Sequence, residues 1–189
     1  MKPHLEPEEE AALVRQAQHD RTQFTLLYRA YVEGIYAYVA YKVKHRQDAE
    51  DLTAVIFMQA LRRLAQYDLA RGSFSAWLFG IARHTVQDYW RRNSHPSLVL
   101  LEDSAVPSPD ASPEQSAIRS EQAAWVRQMI ALLPERRQEV VVLKFFGKLR
   151  NKEIAAVLKL DERTVASHLS RALDDLKQLL SEEEPYDTP

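Results

Sequence analysis

The sequence predicts an all-α protein, with two small helical domains joined by a Pro/Ser-rich acidic linker. Three observations carry this. Apolar residues recur at three- and four-residue spacing along most of the chain, as helices with one buried face require. No segment keeps the two-residue period of a strand, and no internal repeat is visible. From residue 94 to 113 the pattern stops: this stretch holds four prolines, five serines, three acids and neither Lys nor Arg. Pro107, Pro109 and Pro113 forbid a continuous helix there, so the segment reads as an extended, semi-rigid tether.

The partition is then an acidic N-terminal segment with a short helix (1–20), a first domain (21–93), the linker (94–113), a second domain (114–180) and an acidic tail (181–189). Glu8 to His19 reads as a helix with an acidic first turn. Phe24, Leu27, Tyr28, Tyr31, Ile35, Tyr38 and Val39 keep helical period from Arg21 to Lys44. Asp48 is placed to cap the next helix, whose buried stripe is Leu52, Val55, Ile56, Ala60, Leu61 and Leu64. A loop from Tyr67 to Gly72 leads into Ser73–Arg92, where Phe74, Trp77, Leu78, Ile81, Thr85 and Tyr89 form an apolar face. Arg83, His84, Gln87, Arg91 and Arg92 fall mostly away from that stripe, with Trp90 among them. Cations interleaved with aromatic faces suit single-stranded nucleic acid, whose phosphates pair with Arg while unstacked bases lie on rings.

Composition excludes several classes. The longest apolar runs, such as Val140 to Leu143, are too short to cross a bilayer. The start, MKPHLEPEEE, has no apolar core of a signal peptide, so a cytoplasmic location is expected. There is no cysteine, hence no disulfide and no thiolate metal site. His45, Asp48, Glu50 and Asp51 cluster, but helix capping accounts for the acids, and neither a metal nor a cofactor is expected. No HExxH, GxxxxGK[ST] or GxSxG segment points to an enzyme. Glu8-Glu9-Glu10 and Glu182-Glu183-Glu184 read as solvated ends.

The net charge of −2 conceals two basic islands. Residues 62–92 carry six arginines against Asp68 and Asp88, and residues 134–173 carry nine Lys or Arg against five acids. Everything flanking them is acidic or near neutral. Because affinity for nucleic acid grows with the phosphates neutralised, neither island should bind strongly without a larger partner.

In the second domain, helical period resumes with Ile118, Trp125, Met129, Leu132 and Leu133. Asn151 to Leu158 is a short helix with Ile154, Ala155 and Leu158 inward, followed by the tight connection Lys159-Leu160-Asp161. Asp161 can cap a helix to about Leu180, whose seam is Val165, Leu169, Ala172, Leu176 and Leu179. Arg163, Thr164, Ser167, Ser170 and Arg171 project on the other side. A short helix, a tight turn and a longer helix with a polar face match a helix-turn-helix, whose second helix reads base edges with its N-terminal residues.

Motifs in both domains resemble one family, the extracytoplasmic-function sigma factors of bacterial RNA polymerase. They are DAEDL (Asp48–Leu52), FSAWLFGIAR (Phe74–Arg83), Asp88 with Arg91-Arg92, LPERRQEVVVL (Leu133–Leu143), EIAAVL (Glu153–Leu158) and TVASHLSRAL (Thr164–Leu173). The resemblance covers Arg21 to Leu180. It implies that the helix from Asp48 docks on the clamp helices of the polymerase largest subunit through Asp48, Asp51, Ala54, Met58 and Arg62, with Arg63 nearby. It implies that Tyr67, Asp68, Arg71, Ser73, Arg83, His84, Gln87, Arg91 and Arg92 recognise and open the −10 element and hold a flipped base. Arg163, Thr164, Ser167, His168, Ser170 and Arg171 would read the −35 element in the major groove, and the linker would thread basic channels of the polymerase. Core polymerase, promoter DNA and an anti-sigma factor are the implied partners.

The chain departs from the family pattern in places. Ala54 stands where Gln is usual and His84 where Asn often follows IAR. Ala166, His168 and Leu173 occupy three positions that are commonly basic, and Lys159 replaces a turn glycine. Two other readings stay open: an autonomous helix-turn-helix regulator of transcription, and a helical adaptor that binds only proteins.

Overall fold

The computed structural model describes residues 5–43, 45–93 and 124–183. The expected linker, Ile118 and the tail from residue 184 lie outside them. Every regular element among the described residues is helical. Helix α1 is Pro7–His19, α2 Phe24–Lys42, α3 Arg46–Arg63 and α4 Phe74–Arg92. The second domain contributes α5 (residues 124–131), α6 Glu135–Val141 with a π turn Val142–Phe146, α7 Asn151–Leu158 and α8 Glu162–Glu183.

Local chemistry sets these boundaries. Pro7 begins α1, where its missing N–H costs nothing, and three acids follow at the positive end of the helix dipole. The helix expected from Arg21 begins three residues later, because Asp20 accepts from Thr22 N at 2.9 Å and folds Arg21–Gln23 into a 3-10 turn. The Thr22 hydroxyl, donating at 2.7 Å, and then that N–H hold the Asp20 carboxyl below its usual pKa. Asp48 is not the cap of α3. His45 holds that position without a side-chain bond, and Asp48 sits in the first turn, where its carboxylate accepts the Tyr89 hydroxyl at 2.6 Å. At the other end, Gln18 of α1 donates to the carbonyls of Leu64 (2.9 Å) and Tyr67 (2.8 Å), satisfying backbone that α3 leaves exposed. Ser73 caps α4 by accepting from Ala76 N at 3.3 Å.

The first domain packs Leu27, Ile35 and Tyr38 of α2 against Ile56 and Ala60 of α3 and Phe74, Leu78 and Phe79 of α4, with Val14 and Ala17 of α1 closing one end. Glu10 corrects the reading of its acidic run as solvated. It is 3% exposed, and its carboxylate accepts from Phe74 N (2.8 Å), Ser75 N (3.2 Å) and the Tyr31 hydroxyl. A carboxylate can enter a core only when its lone pairs are met this way. Tyr31 is correspondingly pushed well above the usual tyrosine range, by burial first and then by the Glu10 charge.

In the second domain Val140 to Leu143 are all buried, a run enclosed on every side. The π turn follows, closed by Gly147 N to Val142 O at 3.0 Å. The helix-turn-helix forms as expected. Its turn is left-handed at Lys159 (φ 55°, ψ 47°), and Leu160 N bonds back to Ala155 O at 3.0 Å. Asp161 accepts both the backbone N–H and the hydroxyl of Thr164 at 2.7 Å, which lowers its pKa.

The two domains pack on each other, and one apolar cluster runs through both. Helix α4 lies against α7, and α2 lies against the π turn. A Cβ on Gly34 of α2 would stand 3.4 Å from Gly147 O, and one on Gly147 would stand 2.9 Å from the Phe79 ring. Helix α4 is therefore met on a second side, at Ser75, Phe79 and Arg83, which the single apolar stripe did not foretell.

A left-handed residue other than glycine costs roughly 1–2 kcal/mol, of which glycine's extra freedom when unfolded returns part. Lys159→Gly should therefore raise unfolding stability by about 0.5–1 kcal/mol in a denaturant titration.

Candidate nucleic-acid and polymerase interfaces

Three surfaces collect the residues singled out in the sequence. The first is the N-terminal half of α8. Arg163, Ser167, Ser170 and Arg171 are exposed there, with Thr164 and His168 half-buried beside them. All six share the outer side of the helix, while Val165 and Ala172 are sealed inside. The Thr164 hydroxyl is committed to Asp161, so it orders the helix start more than it offers a donor outward.

The second surface is the loop before α4 and the outward side of α4. Asp68 caps a 3-10 turn by accepting from Ala70 N at 2.9 Å, and Arg71 rests 3.5 Å from the same carboxylate. Gly72 follows at φ 149°, a conformation that glycine alone tolerates without strain. Tyr67 does not face outward. Its ring is 8% exposed, lies between Phe74 and Trp77, and its hydroxyl donates to Gly72 O at 2.6 Å. It pins the loop rather than presenting itself. Trp90 is likewise anchored: its indole N–H donates to Lys42 O at 3.1 Å and its ring meets Tyr89 edge-on.

Further along α4, His84, Gln87, Arg91 and Arg92 are exposed as expected. Arg83 is not with them. It turns toward the second domain and donates to Glu139 at 2.9 Å, with 26% of its side chain exposed. The expectation that Arg83 lies on a free polar side missed the partner, because Glu139 is 56 residues away in the chain. Between α3 and α4 a cleft of about 480 Å³ is lined by Gln59, Arg63, Trp77, Gly80, Ile81, His84, Thr85 and Asp88. An indole edge, an imidazole, an amide, a guanidinium and a carboxylate converge there, a set able to stack on a planar ring and to pair with its polar edge. Gln59 and Asp88 were not among the sequence candidates for this face. Their one-turn spacings to Arg63 and His84 are the signal that could have found them. Arg63, implied as a polymerase contact, also lines this cleft.

The third surface is α3 with its neighbour α2. Ala54 and Met58 line a mainly apolar groove of about 510 Å³ with Phe24, Tyr28, Phe57 and Leu61. Met58 is 52% exposed and Tyr28 41%, so the groove opens to solvent. Asp51 and Arg62 are exposed at its side. Asp48 accepts from Tyr89 instead; burial first, and then that bond, push the Tyr89 hydroxyl up to about 12.

Comparison with known proteins gives these surfaces a family. Residues 27–95 match sigma-70 region 2 and residues 123–176 match sigma-70 region 4. The ECF RNA polymerase sigma factor BldN of Streptomyces coelicolor is 32% identical over 90% of this chain and 66% of its own length. The RNA polymerase sigma factor YlaC of Bacillus subtilis is 30% identical over 80% of this chain and 88% of its own. The structure of CnrH in complex with the cytosolic domain of CnrY superposes with a TM-score of 0.70 at 24% identity, covering 93% of this chain and 99% of that one, and shows the same fold. The chain belongs to the extracytoplasmic-function class of the sigma-70 family. No described helix is long and apolar enough to cross a membrane.

Because Arg83 is bonded and His84 is free, the two should separate in stability measurements. Arg83→Ala should cost about 2 kcal/mol in chemical denaturation, as loss of a half-buried charged hydrogen bond does, and His84→Ala less than about 0.5 kcal/mol.

Proposed function

We propose that this chain is the promoter-specificity subunit of an RNA polymerase, acting in the cytoplasm by binding rather than by catalysis. It binds core polymerase and promoter DNA and directs transcription initiation. What carries the reading is the pairing of two DNA-facing helices, α4 and α8, on one chain with an open apolar groove on α3. An autonomous regulator has no need of the groove, and a protein-only adaptor has none of the two basic faces.

In this reading the groove around Ala54 and Met58, flanked by Asp51 and Arg62, receives the clamp helices of the largest subunit. Asp68, Arg71 and Ser73, held in place by Tyr67, meet the −10 strand where it leaves the duplex. The α3–α4 cleft takes an unstacked base against Trp77 and His84, while Gln87, Arg91 and Arg92 follow the phosphates. Unstacking costs a few kcal/mol and each stacked base returns roughly 1–3 kcal/mol, so opening needs several of these contacts at once. The outer side of α8 reads the −35 element, with Arg163 and Arg171 as its cations. Ala166 and Leu173, where the family is commonly basic, leave α8 few phosphate contacts, so its hold on duplex depends on the polymerase. An anti-sigma factor is a further partner: CnrH, of the same fold, is held in complex with CnrY.

The test is run-off transcription with core polymerase on promoters carrying or lacking each element. The chain should support initiation that needs both elements, and by itself it should bind duplex only weakly at physiological salt. Nanomolar sequence-specific binding without polymerase would favour the autonomous regulator.

Arg163→Ala and Arg171→Ala should each weaken use of the −35 element by about 1–3 kcal/mol while leaving polymerase binding unchanged in a pull-down. His84→Ala should lower permanganate reactivity of the −10 strand, and a pre-mismatched bubble should restore part of the lost transcription.

A further inference from the structure

Helix α1 supplies no residue to the three surfaces, yet two of its side chains reach both ends of the loop that precedes α4. Gln18 donates to Leu64 O at 2.9 Å and to Tyr67 O at 2.8 Å, where α3 gives way to the loop. Of its two polar groups only the NH2 can donate, so a pair of carbonyl partners fixes which way the amide points. Glu10 accepts from Phe74 N at 2.8 Å and Ser75 N at 3.2 Å, where the loop gives way to α4, and takes the Tyr31 hydroxyl as its third donor. Glu10, Val14 and Gln18 follow one another at four-residue spacing. The two grips therefore stand about 12 Å apart along one side of the helix.

Packing alone does not call for these groups. Helix α1 seals Val14 and Ala17 in the core, and an apolar side chain at position 10 would cover the same surface without the desolvation that a buried carboxylate brings. What the polar pair adds is direction, because each grips backbone at a set point. Between the grips the bonds are short-range: the Tyr67 hydroxyl to Gly72 O at 2.6 Å, and Ala70 N to Asp68 at 2.9 Å. Asp68, Ala70, Arg71 and Gly72 are exposed. With its ends released, such a loop would sample many conformers, and DNA would have to order it at a cost in binding free energy. With its ends held, the ordering is already complete in the folded chain.

Resting on the function proposed above, we propose that α1 is a brace for the loop that opens DNA, and that Gln18 and Glu10 are positioning residues for opening the −10 element. Neither touches DNA. They set the separation and direction of the loop ends, so that Asp68, Arg71 and Ser73 meet the −10 strand already arranged. The brace acts on opening and not on arrival, since the groove around Met58 and the outer side of α8 share none of these bonds.

Gln18→Glu keeps the shape of the side chain but turns oxygen toward two carbonyls. Gln16→Glu puts the same charge on the exposed side of α1 and serves as the control. In the free chain, trypsin should cut after Arg71, whose side chain is 86% exposed, at least about threefold faster in Gln18→Glu than in the control. With core polymerase, Gln18→Glu should slow the appearance of permanganate-reactive −10 thymines by about fivefold or more, while its affinity for core polymerase stays within about twofold of the control. Gln18→Leu removes the donors without adding repulsion and should fall between the two. Equal cutting after Arg71 overturns the brace, and so does faster cutting with unchanged opening. A loss of opening matched by an equal loss of polymerase affinity would make Gln18 a stabilising residue only, and overturns it as well. If the unmodified chain and the control both fail to open a promoter with polymerase, the function proposed above is what fails, and the trypsin comparison still decides whether α1 holds the loop.

Discussion

The carboxylate of Glu10 is the constraint on which the rest of the structure turns. It comes from α1 and accepts from the first two N–H groups of α4 and from the Tyr31 hydroxyl of α2. One side chain thus fixes three helices of the first domain against each other. Ser75, whose N–H it holds, passes its hydroxyl to Glu153 of α7. The same node therefore reaches the second domain. Removing the carboxylate would leave buried donors without an acceptor, each costing about 1–3 kcal/mol. The position of α4, and with it the loop and cleft proposed to open DNA, depends on an acid in the N-terminal helix.

Around that node the groups divide by whether they are held or free. Tyr67, Asp48, Trp90 and Arg83 carry polar atoms that could meet a partner, yet each is bonded within the chain. His84, Gln87, Arg92, Arg163 and Arg171 remain accessible, as does Arg91, which pairs with Asp88 at 3.2 Å but stays largely exposed. The held set gives shape to the loop and to the seam between domains; the free set is what a nucleic acid can reach. Lys42 shows the cost of the seam: burial lowers its pKa, which the carboxylates of Glu139 and Glu135 partly offset.

Much of this was legible in sequence wherever a helix packs on one side. The stripes of α2 and α8, the Asp161 cap and the helix-turn-helix followed from spacing and turn chemistry; in α3 Ile56, Ala60 and Leu64 are buried as expected, but Val55 is exposed and Thr53 and Phe57 are buried in its place. Helix α4 was half legible. Its stripe marks the side facing α2 and α3, but Ser75 and Phe79 also meet a domain reached only through the linker, and periodicity carries no record of a partner that distant. The buried Glu10 hid in an acidic run because nothing local distinguishes it from Glu8 and Glu9. Of the candidate surfaces, α8 was the most legible, since a recognition helix is defined by its own neighbours. The α3–α4 cleft was the least, because its residues come from two helices whose register only packing sets.

The central claim is that α4 and α8 read two separate parts of one promoter, and only with polymerase. A photo-crosslinking side chain placed at His84 or at His168 tests it most directly. In a complex with core polymerase, the first should label the unpaired non-template strand near −10 and the second the duplex near −35, with neither label forming on the free chain. Both probes labelling the same stretch of duplex, or labelling specific DNA equally well without polymerase, would contradict the account.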